Sequence, residues 1–439
     1  MDLYVTNQTA SWLRASTKHL RGDSNQPCKI PPQSEESRMP PNFLKHRSRS
    51  READTTSSAN KEIWIVNRYL AHYRLPVLDR LSQRVKQQGF ILKFVFDPSL
   101  VIGPAEASRP YCDPFVRVKD YRVAGVQCWW LSGLLEAIRD RRPAAVIMEG
   151  TPRIVTNLRV PAETHAVGGV ALLWSKGHIE EGTPSGYLTD RVRYRFTRLF
   201  DGVICYGEAG QRDLQRIGIP TRTITVARNT IDTDRIFANI GDRDAEAFNF
   251  KQERGLEGKR IVLCVGTMYP KKRHLDLVEA WPAIHADNPD AILVMVGGGP
   301  MFEAVKYRAA EIGSDSIRIL GPVPEGEDYQ WIGASDVSVM CGGLGLAIQQ
   351  TLAFGRPMVV ADEQGVDGEL VLHGETGWRY PKGDVEALAT VVNEVLADAS
   401  RSAAIARRGQ DLVRDEVTID GMVSSFLKAL NRLDVLRLA

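Results

Sequence analysis

The sequence predicts an α/β chain of two doubly wound domains, each a parallel sheet covered by helices, with a cleft between them. Three observations lead there: short apolar runs, amphipathic stretches of roughly 10 to 20 residues between the runs, and one polar stretch that divides them into two sets. The first set is IWIV from Ile63, ILKFVF from Ile91, AAVIM from Ala144, GGVALLW from Gly168, GVICYG from Gly202 and TITVA from Thr223. The second is IVLCVG from Ile261, AILVMVG from Ala291, SIRILG from Ser316, DVSVMCG from Asp336 and PMVVAD from Pro357. Most end in Gly or Asp, where a strand turns sharply into a helix. Leu275, Val278, Trp281 and Ile284 recur at helical spacing and give one helix an apolar stripe against its sheet. The divider is Phe237 to Arg260, polar and without a sustained period.

The expected organisation is therefore a disordered basic tail over 1–60, a first domain over 61–236, a connection over 237–260 and a second domain over 261–415. A C-terminal helix within 416–439 is expected to pack back on the first domain. The tail is rich in Ser, Pro, Arg and Gln, and its first 59 residues hold nine Lys/Arg against six Asp/Glu. Its run HRSRSRE, His46 to Glu52, is either a solvated cluster or a contact for anionic lipid headgroups.

Composition excludes several classes. The chain has 439 residues, 43% hydrophobic and 25% charged, so fibrous and wholly disordered readings fail. Lys plus Arg is 56 and Asp plus Glu 54, a net +2 that gives no reason to expect a nucleic-acid partner. Cys28, Cys112, Cys128, Cys205, Cys264 and Cys341 show no metal-ligand spacing, and reduced thiols in the cytoplasm fit them best. No apolar run reaches the roughly 20 residues that cross a bilayer. The opening MDLYVTNQTASWLRAS has no charged region leading into an apolar one, which argues against a secretory signal.

Two segments suit an anion. In Val339 to Gly365 a strand ends at Cys341, Gly342 to Gly345 let the backbone pass close to a ligand, and Leu346 to Phe354 can form a helix whose free amides point back at the loop. In GTMYPKKRH, Gly266 to His274, three cations, Lys271, Lys272 and Arg273, open a helix against the sense of its dipole. The bland alternatives are glycines kept for packing and a solvated basic cluster. A Lys about 4 Å from a phosphate gains about 4 kcal/mol at an effective dielectric near 20, before desolvation. In RVRYRFTRLF, Arg191, Arg195 and Arg198 share one helical face and Val192, Phe196 and Leu199 another; the helix either packs on the core with a solvated arginine face or lies on an anionic membrane. Asp232 to Asp234, DTD, reads as a cap and not as a metal site.

Taken in order, the second half resembles the nucleotide-sugar domain of family 4 retaining glycosyltransferases, which have the GT-B fold. The matching elements are Gly266 to Lys272, VGGGP at Val296 to Pro300, ILGPV at Ile319 to Val323, the loop and helix from Gly343 to Pro357, GVDGE at Gly365 to Glu369 and HGETGW at His373 to Trp378. The first half is similar to the family's acceptor domain through YRLPVLDRL at Tyr73 to Leu81, the turn at Asn229, Ile231 and Asp232, and WSKGH at Trp174 to His178.

That resemblance implies metal-independent transfer, with retention, from a nucleotide diphosphate sugar to a saccharide or lipid-linked hydroxyl. It implies His178 and Lys272 as catalytic residues. It implies a donor site of Gly266, Thr267, Lys272, Gly343, Leu344, Gly345, Leu346, Gln350 and Glu369, no metal and no resident cofactor. The implied setting is the cytoplasm, with a possible peripheral membrane contact. Two departures stand out. The family usually carries glutamates eight positions apart around this loop, and here those positions hold Gly342 and Gln350; the usual Arg before the Lys is Thr267. A noncatalytic GT-B protein that binds a nucleotide sugar or glycan is the alternative. Arg153 and Glu149 are the side chains to look for in the space left at Gly342.

Overall fold

The computed structural model describes residues 61–102, 108–123, 125–177, 187–241, 243–324, 326–363 and 367–437. The tail, with His46 to Glu52, lies outside them. Two parallel sheets form the frame. The N-terminal sheet has seven strands, in the order Ile224–Val226, Gly202–Cys205, Val170–Ser175, Ala145–Glu149, Glu62–Val66, Ile91–Val95 and Cys112–Asp113. The C-terminal sheet has six, in the order Ile317–Gly321, Ala291–Val296, Arg260–Val265, Val337–Met340, Met358–Asp362 and Trp378–Pro381.

Both sheets are buried on two faces, which is why their strands read as continuous apolar runs. Ile63 and Ile65 enter one core cluster while Trp64 and Val66 enter the other, the alternation expected of a strand. In the second sheet Val262 and Cys264 face one cluster, and Ile261 and Leu263 the opposite one. The helix His274–Asp287 lays Leu277, Val278, Trp281 and Ile284 on the first of these, with Leu275 partly buried.

Three features depart from the sequence reading. The stretch 237–260 is not a linker: the helix Arg243–Glu253 packs on Glu327–Ala334, with Phe250 edge-on to Trp331 at 4.9 Å. Among the described side chains of that helix, Ala247 and Phe250 meet the core, one step of i+3, too short a repeat to show in the sequence. An antiparallel hairpin, Arg117–Val123 with Val126–Ser132, decorates the first domain; its polar outer positions disguised it. Of the apolar set Val192, Phe196 and Leu199, only Phe196 is buried, and Val192 is 62% exposed.

The helix Ile419–Arg432 crosses back to the N-terminal sheet. Ile419, Met422, Val423, Phe426, Ala429 and Leu430 are buried in the cluster that holds Ile63 and Trp174, and Phe426 meets Trp174 edge to face at 5.2 Å. Arg80 pairs with Asp420 at 2.8 Å across the same contact.

Candidate functional site

The order of the C-terminal sheet decides where a ligand can lie. Strand sequence reverses between Arg260–Val265 and Val337–Met340, and the loops that leave these two neighbours diverge to opposite faces, opening a crevice at their carboxyl ends. The two anion-suited segments are those loops, and the fold brings them together.

Gly266 turns at φ 147°, the chain continues through a 3-10 turn, Pro270–Lys272, and Arg273 sits at φ 53° before the helix His274–Asp287. The VGGGP turn holds this loop from beneath: Gly266 N–H donates to Val296 O at 2.9 Å, and Met268 N–H to Gly298 O at 2.8 Å. Any Cβ on Gly297 would overlap the Gly266 carbonyl oxygen, so glycine is needed there for contact as well as for its φ of 134°.

Lys272 runs across the facing loop. Its Cδ lies 3.2 Å from where a Cβ on Gly343 would be, and its Nζ 3.2 Å from the Cβ position of Gly345. The ammonium therefore stands at the glycine loop. Behind it His274 is buried, its Nδ1 has no hydrogen-bond partner, and burial together with the Lys272 charge depresses its pKa to about 4. The ring is neutral at pH 7 and adds no charge. Arg273 is turned aside, paired with Asp276 at 2.6 Å.

Gly342 is buried, and a Cβ there would lie 2.7 Å from the Lys271 carbonyl oxygen. The space left by the missing side chain is filled by this carbonyl and the Arg273 stem. Neither Arg153 nor Glu149 supplies a substitute; Glu149 is held by Arg68 at 2.6 Å. The helix after the loop is shorter than expected, Ala347–Ala353, with Leu346 as its cap. Its first amides lack helical acceptors. Leu344 and Leu346 pack on the cluster beneath the loop, and Thr267 is exposed. Gln350 is hydrogen-bonded to the Tyr329 hydroxyl, while its neighbour Gln349, buried, donates to Asn229 O at 2.7 Å and accepts from Ile231 N–H at 3.2 Å. Gln349 thus ties the glycine-loop helix to the crossover turn. Asp232 caps the next helix, accepting from Arg235 N–H at 3.0 Å.

Two carboxylates behave differently from the sequence expectation. Glu369 accepts from Glu208 N–H at 2.9 Å and from Arg212 at 2.9 Å, so both of its oxygens are engaged with the start of a first-domain helix. Its carboxylate bridges the two halves. Glu363, which the sequence reading passed over, reaches the loop instead: Gly343 N–H donates to its Oε2 at 2.6 Å, and Lys382 Nζ lies 3.3 Å from its Oε1. The Gly343 amide is thereby withdrawn from any phosphate. The signal for Glu363 was an acid at the carboxyl end of the strand beside the loop strand, visible only once strand order is known. His178 lies outside the described residues; the chain leading to it is shaped by Gly177 N–H donating to Ser175 Oγ at 3.1 Å.

Residues 246–412 match the family model described as Glycosyl transferases group 1. A GDP-mannose-dependent alpha-(1-6)-phosphatidylinositol monomannoside mannosyltransferase of Mycolicibacterium smegmatis is 33% identical over 196 residues, 42% of this chain and 50% of the relative. The protein of the same name in Mycobacterium tuberculosis is 30% identical over 218 residues, 47% and 55%. The chain spans about half the length of the curated relatives it matches. Among solved structures, Anabaena HepE in complex with UDP superposes with a TM-score of 0.66 at 15% identity, over 84% of this chain and 99% of that one. WaaG, a glycosyltransferase involved in lipopolysaccharide biosynthesis, gives 0.61 at 12% identity, over 84% and 98%. At such identities the likeness is one of fold, and that fold is GT-B. Within that fold, the likeness to the glycosyl transferases group 1 model is carried by residues 246–412.

Proposed function

We propose that the chain is a glycosyltransferase that moves a sugar from a nucleotide diphosphate sugar to a saccharide or lipid-linked hydroxyl, with the anomeric configuration retained and without a metal. One observation carries the reading: the Lys272 ammonium stands against Gly345 at the crevice of the C-terminal sheet. The chemical problem is charge on the departing diphosphate. Lys272 and the amides from Gly345 onward would stabilise it from fixed positions, a preorganised electrostatic role. Relatives named as mannosyltransferases and a neighbour that holds UDP support this donor class, and leave both guanine and uracil bases in play.

The test is thermal melting with UDP, GDP, ADP and CMP, since a ligand specific to the folded state raises Tm. One diphosphate should raise it, and Lys272→Ala should abolish the rise and lower turnover about 100- to 1000-fold. Absence of any rise would sink the assignment. Activity that survives a chelator supports the metal-independent form. A second reading, a noncatalytic nucleotide-sugar binder, draws on the burial of Gly342 and the engagement of Gln350 with Tyr329; binding without labelling of any acceptor in a membrane extract would establish it.

The acceptor side is proposed to meet an anionic membrane through the helix Tyr187–Thr197. Tyr187 and Leu188 are 72% and 77% exposed, and Arg191, Arg195 and Arg198 lie on the same outer face. Among the described residues no helix is long and apolar enough to cross a membrane, so the contact would be peripheral. At about 1 kcal/mol per arginine, replacing all three by Ala should lower binding to phosphatidylglycerol vesicles about 100-fold.

A further inference from the structure

We infer that Glu363 recognises the sugar of the donor by accepting hydrogen bonds from its hydroxyls. The inference rests on the proposed donor site and assigns a residue within it. Glycine at 342 cannot be decorated, because any Cβ meets the Lys271 carbonyl oxygen, so this loop supplies no acid of its own. An acid arrives from the next strand instead. Met358–Asp362 pairs with Val337–Met340, the strand that feeds the loop, and Glu363 follows it directly.

Each oxygen of the carboxylate has one protein partner. Its side chain is 12% exposed, Oε2 takes the Gly343 amide, and Oε1 faces Lys382. The Arg379 guanidinium braces the chain around it, donating to the Asp362 side chain at 2.6 Å and to the backbone oxygens of Gly368 at 2.8 Å and Val371 at 3.3 Å. A carboxylate has about four lone-pair directions, and these contacts use two. The remaining pair can take only donors. Phosphate offers none and would be repelled by a second negative charge, whereas sugar hydroxyls are donors. An acid kept beside a lysine-lined anion crevice is thus suited to the part of the ligand that is not an anion. The Lys382 and Gly343 contacts position it and partly offset its charge.

The experiment compares affinities for a nucleoside diphosphate and for the same diphosphate carrying a sugar, using UDP with UDP-glucose and GDP with GDP-mannose, in the full chain and in Glu363→Gln. The amide keeps an acceptor for Gly343 N–H and removes the charge. Diphosphate affinity should stay within about threefold of wild type or tighten, because a negative neighbour is gone. The gain from adding the sugar should fall about 10- to 100-fold, the range of a hydrogen bond to a charged group, and kcat/KM should fall with it. An unchanged gain would overturn the proposal and leave Glu363 as a brace for the loop. A rise in both affinities with faster turnover would overturn it too, because the carboxylate would then be an obstruction. If neither diphosphate binds the unmodified chain, the donor site itself is wrong, a result distinct from both. A Glu363→Gln melting point within about 3 °C of wild type separates these outcomes from misfolding.

Discussion

The two halves share one topology and use it in opposite ways. In the N-terminal sheet the order reverses between Glu62–Val66 and Ala145–Glu149, and the crevice there is closed by the molecule itself: Arg68 binds Glu149 through several hydrogen bonds and stacks on Trp129 at 3.7 Å. In the C-terminal sheet the equivalent crevice is edged by glycine backbone, Lys272 and Glu363. A reversal of strand order creates an opening wherever it occurs, and the residues at the strand ends decide whether it receives a ligand. Side chains of opposite charge that find each other close it; close-set glycine backbone with a lysine laid across it keeps it suited to an anion.

Four expected outcomes press on this contrast, beginning with the largest. Gly297→Ala, under the C-terminal crevice, should destabilise the protein by about 3 kcal/mol or more in denaturant unfolding, since it meets both a forbidden φ and the Gly266 carbonyl. Next comes His274, whose folded pKa of about 4 lies below the ordinary imidazole value of about 6.5. The folded state binds fewer protons, so its stability is intact above pH 6.5 and is lost as pH falls toward 4, by about 3 kcal/mol; His274→Leu should remove that slope.

Glu149→Ala, in the N-terminal crevice, strands Arg68 and should cost about 2 kcal/mol. It should leave nucleotide-induced melting shifts as in wild type; a loss of those shifts would show that the first crevice also handles donor. The smallest effect belongs to His165. Its pKa is raised by a hydrogen bond to Asp201 at 2.8 Å, so its contribution is present below pH 6.5 and fades as pH rises through the higher folded value. The ring is nearly half exposed, so solvent screening holds the change below about 1 kcal/mol, and Asp201→Asn should flatten it.

How much was legible in the sequence follows the same division. The C-terminal crevice is made of glycine spacing and one lysine, and both are properties of short segments, so Gly266–Lys272 and Gly343–Leu346 were each readable as suited to an anion before any coordinates, while their pairing was implied only by the family resemblance. Strand runs were readable for the same reason, because burial on both faces leaves no polar interruption. What escaped depended on distant residues. Glu363 becomes a loop ligand only because its strand lies beside Val337–Met340, and Glu369 faces Arg212 across 157 positions of chain. The helix Arg243–Glu253 escaped because, among its described side chains, two reach the core. The exposure of Val192 escaped because periodicity says which residues share a face but not which face meets the protein.

Glu369 gives the assembly a property that neither half has alone. One side chain from the C-terminal half grips both the opening amide of a first-domain helix and the guanidinium one turn further along it. Any widening of the gap must release two hydrogen bonds at one point, and narrowing restores both. The two partners of Glu369 sit on successive turns of one helix, so a single carboxylate fixes both where that helix begins and how it is rotated against the C-terminal half.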